Sequence, residues 1–136
     1  MNKIQIGKQE IIHFIGIGGI GMSGLAQIMK TMGFNVQGSD LNENKNTDNC
    51  KRLGIKILKG HSKKNILNAT IIVKSSAIKK NNIELSYSKK KNIPSYERIE
   101  MLANIIDLKK NIIVTGSHGK TTTTSLVAKI ISTAKL

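Results

Sequence analysis

The chain has 136 residues, enough for one domain with a real core or for one domain and part of another. Its 22 Lys+Arg against 8 Asp+Glu give a formal net charge of +14, yet the excess is nearly all lysine in scattered pairs, and aromatic residues make up only 3%. With no aromatic side chains interleaved among the lysines to stack on bases, drift toward lysine, isoleucine and asparagine explains the charge better than a nucleic-acid surface does, and no nucleic-acid partner is expected.

Residues 1–10 read as a polar lead-in, a frayed arm with no cleavable-leader pattern. The lone Cys50 excludes an internal disulfide and says nothing against a reducing compartment, and a cytoplasmic location is expected. Ile11–Ile17 is a near-continuous apolar run, as in a strand buried on both faces of a parallel sheet. The uncharged interval Ile11–Met29 is broken by five glycines, His13, Ser23 and Gln27, which argues against a membrane span.

Gly16, Gly18 and Gly21 have the G-x-G-x-x-G spacing of a nucleotide-binding turn, and Gly19 adds to the glycine density. The first glycine permits the sharp turn, the second lets backbone N–H groups approach a diphosphate, and the third lets helix and strand pack closely. From Gly19 the period becomes helical, with Met22, Leu25, Ala26, Met29 and Met32 facing inward and Gly33 as C-cap.

Phe34–Ser39 reads as the second strand, with Asp40 at its end. Asp40 lies 19 residues after Gly21, about the distance at which an acid reaches a ribose hydroxyl. A surface turn residue is the alternative. Thr47 is the expected N-cap of a short helix ending at Gly54. Ile55–Leu58 is a third strand closed by Gly60-His61, and Ala69–Val73 a fourth ending in Lys74-Ser75-Ser76. At strand ends His61 faces either a ligand or solvent. The Ser75 and Ser76 hydroxyls suit sugar or phosphate contacts and equally suit capping of the next turn.

Asn82–Lys91 reads as a polar surface helix and Ile93–Tyr96, around Pro94, as an edge strand. Glu97–Leu108 reads as a helix with Ile99, Leu102, Ala103 and Ile106 on its inner face. Asp107, Lys109 and Lys110 make a charged hinge. Asn111–Thr115 is read as a last strand, followed by a glycine loop and a closing helix with Leu126, Val127, Ile130 and Ile131 inward.

That loop, Gly116-Ser117-His118-Gly119-Lys120-Thr121-Thr122, follows a strand and opens a helix, as a phosphate loop does. Backbone N–H groups and the helix N-terminus would hold phosphates, Lys120 would reach the β/γ-phosphates, and the Thr121 hydroxyl can ligate Mg²⁺. The usual pattern has four residues between the first glycine and Gly-Lys. Here there are two, and Val114 stands where glycine is usual. A capped helix after a glycine turn is the plainer alternative. One loop suited to a dinucleotide or nucleotide-sugar and another suited to ATP point to an enzyme that activates one substrate with ATP while holding another by its nucleotide. A dehydrogenase would leave the second loop unexplained.

His13–Ala26, Gly38-Ser39-Asp40, Ser75–Ile78, Arg98–Leu102 and Gly116–Thr124, in that order, resemble the Mur ligases of peptidoglycan synthesis. The resemblance implies an α/β architecture. A Rossmann-like UDP-sugar-binding domain would span residues 1–108, and the first strand, phosphate loop and helix of an ATP-binding domain residues 109–136. It implies a diphosphate at Gly16–Gly21, with Ser39, Asp40, His61, Ser75 and Ser76 along the UDP-sugar site. It further implies an ATP-dependent ligase, with Mg²⁺ as cofactor and Lys120 in a catalytic role, joining L-alanine to UDP-N-acetylmuramate through an acyl phosphate. A family member that adds a ready-made tripeptide to the same sugar nucleotide is the nearest alternative. A stand-alone nucleotide-sugar-binding module is another. Since further Mg²⁺ ligands and an amino-acid domain would lie beyond Leu136, this chain alone is expected not to ligate. Its last strand and helix should leave an apolar patch or fold back on the first domain.

Overall fold

A computed structural model describes residues 3–110 and 112–135. The apolar runs become β1 (Ile11–Ile15), β2 (Asn35–Asp40), β3 (Lys56–Lys59), β4 (Ile71–Lys74) and β5 (Ser95–Glu97). They form one five-stranded parallel sheet in the order β3-β2-β1-β4-β5. β1 is central, and from it the chain winds first toward β3 and then, through β4, toward β5. The strand order therefore reverses beside β1, and in open α/β sheets ligands bind at such a reversal, outside the carboxyl ends of the strands. This is the α/β, Rossmann-like architecture expected. Pro94 precedes the edge strand, where its missing N–H breaks no ladder.

Side chains on the strands alternate between two cores. Ile12 and Phe14 of β1, Val36 of β2 and Ile71 and Val73 of β4 pack with Met22, Leu25 and Met29 of α1 (Ile20–Thr31). Met101 and Ile105 of α4 (Arg98–Asp107) complete that layer. On the opposite face Ile15 and Ile72 pack with Ile66 and with Leu85 of α3 (Ile83–Lys90). Full burial of each such side chain contributes about 1.5–3 kcal/mol. The same alternation turns His13, Gln37 and Ser39 toward the α3 face. Gly38 leaves the α1 face open for the chain crossing it: a Cβ there would stand 2.8 Å from the Ile17 Cβ and 2.9 Å from the Phe14 carbonyl oxygen.

Several local expectations need correction. The lead-in is tied down, because Ile4 and Ile6 pack on the larger core and the Ile4 N–H donates to Asn104 Oδ1 at 3.0 Å. The cap of α2 (Lys45–Arg52) is Asn44, with Thr47 completing a capping box, since the loop must first reach back to the glycine turn. Cys50, on α2, is fully buried, and burial pushes its thiol pKa up. A 3₁₀ turn at Lys63–Ile66, capped by Ser62, was not foreseen. The inner face of α4 is Met101, Asn104 and Ile105, whereas Ile99 is 63% exposed. α3 is no surface helix, for Glu84, Leu85 and Ser88 are buried.

Residues 112–115 form no strand, because none of the described strands lies alongside to share a ladder. Asn111 of that expected strand lies outside the described residues. The closing helix α5 (Lys120–Ala134) buries none of its residues. Leu126, Ile130, Ile112 and Ile113 are exposed, so of the two outcomes expected the apolar patch is the one observed.

Candidate functional site

The glycine turn leaves β1 at the point where the strand order reverses. Gly16 adopts φ +83°, a left-handed conformation that strains any side chain. Most of the turn's N–H groups then hold the turn itself. Those of Gly16 and Ile17 donate to the Ser39 carbonyl at 2.9 and 3.1 Å, and that of Gly19 to the Gly16 carbonyl at 3.3 Å. That of Gly18 donates to Asp40 Oδ2 at 2.8 Å. The N–H groups of Ile20, Gly21 and Met22 find no such partner among the described residues, and the N-cap Gly19 has no side chain to offer. Three orphan donors at the positive end of α1 make a place for an anion.

Arg98, the first residue of α4, lies against this helix start. A Cβ on Gly21 would stand 3.2 Å from the Arg98 guanidinium, so glycine is what lets the arginine come so close. Among the described residues the guanidinium has no hydrogen bond or ion pair, whereas the neighbouring Lys74 is paired with Glu97. An uncommitted planar cation beside orphan N–H groups suits a phosphate. Ser76, Glu97, Arg98 and Ile99 line an open cleft at this end of β4 and β5. The sequence motif Arg98–Leu102 contained Arg98, but nothing in its local pattern marked it as adjoining Gly21.

The other expected residues divide clearly. Asp40 is at the glycine turn, with Oδ2 on Gly18 and Oδ1 accepting the Asn42 N–H at 3.2 Å. Asn44 and Asn46, missed in the sequence, donate from their side chains to the Gly18 carbonyl at 3.1 and 2.8 Å. Ser75 is beside Gly16, where its hydroxyl oxygen accepts the Ala77 N–H at 3.2 Å, so the capping role is realised. Ser76 is exposed at the cleft. Ser39 is fully buried and its hydroxyl is engaged inside the fold, so its side chain does not reach the surface. The alternation of β2 puts Ser39 beneath the sheet while its carbonyl holds the turn above.

Beneath the sheet lies a polar network that the sequence reading missed. Glu84 of α3 is wholly buried. Its Oε2 accepts from Ser39 Oγ at 2.6 Å and His13 Nε2 at 3.0 Å. Its Oε1 accepts from Asn65 Nδ2 at 2.6 Å and the Ser62 N–H at 3.1 Å. Burial alone would raise its pKa, but the hydrogen bonds from His13 and Ser39, the positive charge of His13 when it is protonated and the hydrogen bond from Asn65 together outweigh that and bring the carboxyl down to about 2. His61 joins through Nδ1, 3.1 Å from Ser39 Oγ and 3.5 Å from Glu84 Oε2, with its side chain 13% exposed.

The second loop lies wholly at the surface. Gly119 takes φ +74° and hands the chain to α5, and Lys120 Nζ folds back onto the Gly116 carbonyl. Ser117, His118, Thr121 and Thr122 are exposed around it. Among the described residues no group of three or more His, Cys, Asp or Glu is placed to hold a metal. Among the described residues no helix is long and apolar enough to cross a membrane.

Residues 11–110 match the family model described as Mur ligase family, catalytic domain. A UDP-N-acetylmuramate–L-alanine ligase of Pelagibacter ubique is 66% identical over 134 residues, which is 98% of this chain and 29% of that protein. The corresponding ligase of Aquifex aeolicus is 55% identical over 124 residues, 91% of this chain and 27% of its own length. Among solved structures, a UDP-N-acetylmuramate-alanine ligase of Thermotoga maritima superposes with a TM-score of 0.81 at 34% identity. That likeness covers 91% of this chain and 29% of the other. The chain thus spans under a third of the length of these relatives.

Proposed function

The chain belongs to the Mur ligase family, and from that premise we propose that it carries the sugar-nucleotide site and the ATP loop of a UDP-N-acetylmuramate–L-alanine ligase. The observation that carries the reading is the set of orphan N–H groups of Ile20, Gly21 and Met22 facing the same place as the uncommitted Arg98 guanidinium. A diphosphate satisfies both at once. Gly16, Gly18 and Gly19 shape the turn, Asp40 holds it, Ser75 and Ser76 follow β4 beside it, and His61 stands beyond the end of β3. UDP-N-acetylmuramate also appears in the name of a structural relative from Neisseria that takes a tripeptide, so the sugar nucleotide is the substrate common to both names. The 66% identity to an L-alanine ligase favours L-alanine as the second substrate.

Gly116–Thr122 fits ATP through the α5 N-terminus and the Lys120 ammonium, which lies over the loop. Thr121 offers one hydroxyl, which fits a Mg²⁺ held mainly by phosphate oxygens and water. Bound ATP would supply the phosphoryl group that activates a carboxylate. This chain's part is to hold the nucleotides and neutralise their charge.

Calorimetry on the intact chain tests the reading. UDP-N-acetylmuramate should bind, UDP more weakly, and NAD should give no heat of binding. Equal binding of NAD, or no binding of the sugar nucleotide, would overturn it.

A further inference from the structure

The network beneath the sheet determines where the protons sit. Gln37 Nε2 donates to the Asn65 carbonyl at 2.8 Å, which orients its amide, and the same NH₂ group donates to His13 Nδ1 at 3.0 Å. His13 is therefore neutral and carries its proton on Nε2, which it donates to Glu84. Glu84 is ionised and also takes the single hydroxyl proton of Ser39, at 2.6 Å. With that proton committed, Ser39 Oγ can only accept from His61, so His61 Nδ1 bears hydrogen. Its other nitrogen, Nε2, has no hydrogen-bond partner among the described residues.

We propose that Glu84, acting through Ser39, is a positioning residue that holds His61 in the Nδ1–H form and presents the Nε2 lone pair at the carboxyl edge of the sheet to a hydroxyl donor of the bound sugar nucleotide. The proposal rests on the reading of that edge as a sugar-nucleotide site. A lone pair at Nε2 repels a phosphate oxygen and accepts from an O–H, so the residue contributes to recognition of the sugar portion. His13 and Gln37 complete the arrangement by keeping the second imidazole from competing for the Ser39 proton.

The test has an arm that needs no ligand. Two-bond ¹⁵N–¹H imidazole spectra of the intact chain at about pH 8, above the ordinary histidine range, report the tautomer of His61 directly. The expected result is Nδ1–H in the unmodified protein, with a shift toward Nε2–H in Ser39→Ala. An Nε2–H ring in the unmodified protein overturns the inference whether or not any variant folds. The second arm measures UDP-N-acetylmuramate affinity of His61→Ala, Ser39→Ala and the double variant. Each single change should weaken binding roughly tenfold, and the double change no further. Additive losses would overturn the link through Ser39. An Nδ1–H ring in a chain that binds no sugar nucleotide would instead overturn the functional reading and leave the tautomer assignment standing.

Discussion

Asp40 and Gly18 hold the glycine turn closed: the Asp40 Oδ2 atom accepts the Gly18 N–H at 2.8 Å, at a place where a Cβ would stand 2.9 Å from that oxygen. The acid at the end of the second strand thus shapes the turn directly. Asp40→Ala removes a hydrogen bond to a charged group, worth about 1.5–3 kcal/mol, and frees the Gly18 peptide, which Asn44 and Asn46 brace only from its carbonyl side. Urea unfolding should show a stability loss of that order, accompanied by weaker binding of UDP-N-acetylmuramate. An unchanged midpoint with lost binding would mean that Asp40 serves the ligand alone.

Gly38 of β2 has no room for a side chain. A Cβ there would lie 2.5 Å from Ile17 Cδ1 as well as against the Phe14 carbonyl. The side-chain atom can rotate away, but the backbone oxygen cannot. Gly38→Ala should destabilise the chain by about 1–3 kcal/mol, read as a lower urea midpoint with an unchanged slope.

The depressed pKa of Glu84 predicts a specific acid response. Its carboxyl falls from the ordinary 4.5 to about 2 in the folded chain. The folded state therefore prefers the ionised form. The stabilisation is complete above about pH 4.5 and disappears as pH falls toward 2. Glu84→Gln should be less stable at neutral pH, because its NH₂ group must face donors such as Ser62 N–H and Asn65 Nδ2 or those of His13 and Ser39. The gap to the unmodified chain should narrow across that window. A gap independent of pH between 4.5 and 2 would contradict an ionised Glu84.

These tests separate what was legible in the sequence from what was not. β1, α1 and the glycine turn could be read because their signals are local: an apolar run, glycines at fixed offsets, and a helical period in Met22, Leu25, Ala26 and Met29. The buried network could not. His13 and Glu84 lie 71 positions apart, and a glutamate in the lysine-rich stretch Asn82–Lys91 looks like solvent-facing charge until strand alternation turns His13, Gln37 and Ser39 toward it. Arg98 stands in one of the motifs, but its place beside Gly21 could not be read for the same reason, since only the crossing of α4 beside α1 brings it there. Residues 112–115 misled in the opposite sense: their composition is that of a strand, but strand pairing requires a neighbour, and composition says nothing about that.

Arg98→Ala should separate binding from folding. The guanidinium has no partner to abandon among the described residues, so the urea midpoint should hardly move. Loss of a charge-assisted contact worth about 1.5–3 kcal/mol corresponds to roughly a 10- to 100-fold weaker Kd for UDP-N-acetylmuramate. Arg98→Lys should recover only part of it, because a point charge cannot make the paired contact of a planar fork. A large stability loss with unchanged affinity would mean that Arg98 only packs on Gly21.

The connection that follows α4 is open to proteolysis. α4 ends at Asp107, residues 107–113 are exposed apart from the undescribed Asn111, and α5 buries none of its residues. Backbone in this connection is held by few buried groups, so it should reach a protease's extended binding conformation far more easily than the sheet can. Trypsin at low ratio should cut first after Lys110, although lysines are spread along the chain. The larger product should keep the urea midpoint and the UDP-N-acetylmuramate affinity of the intact chain, because β1 to β5, the glycine turn and Arg98 all lie within it. It should lose ATP binding, since Gly116–Thr122 leaves with the smaller piece. First cleavage within α1 or β4, or loss of sugar-nucleotide binding on removal of the tail, would show instead that the segment beyond residue 108 is part of the first unit's fold or site.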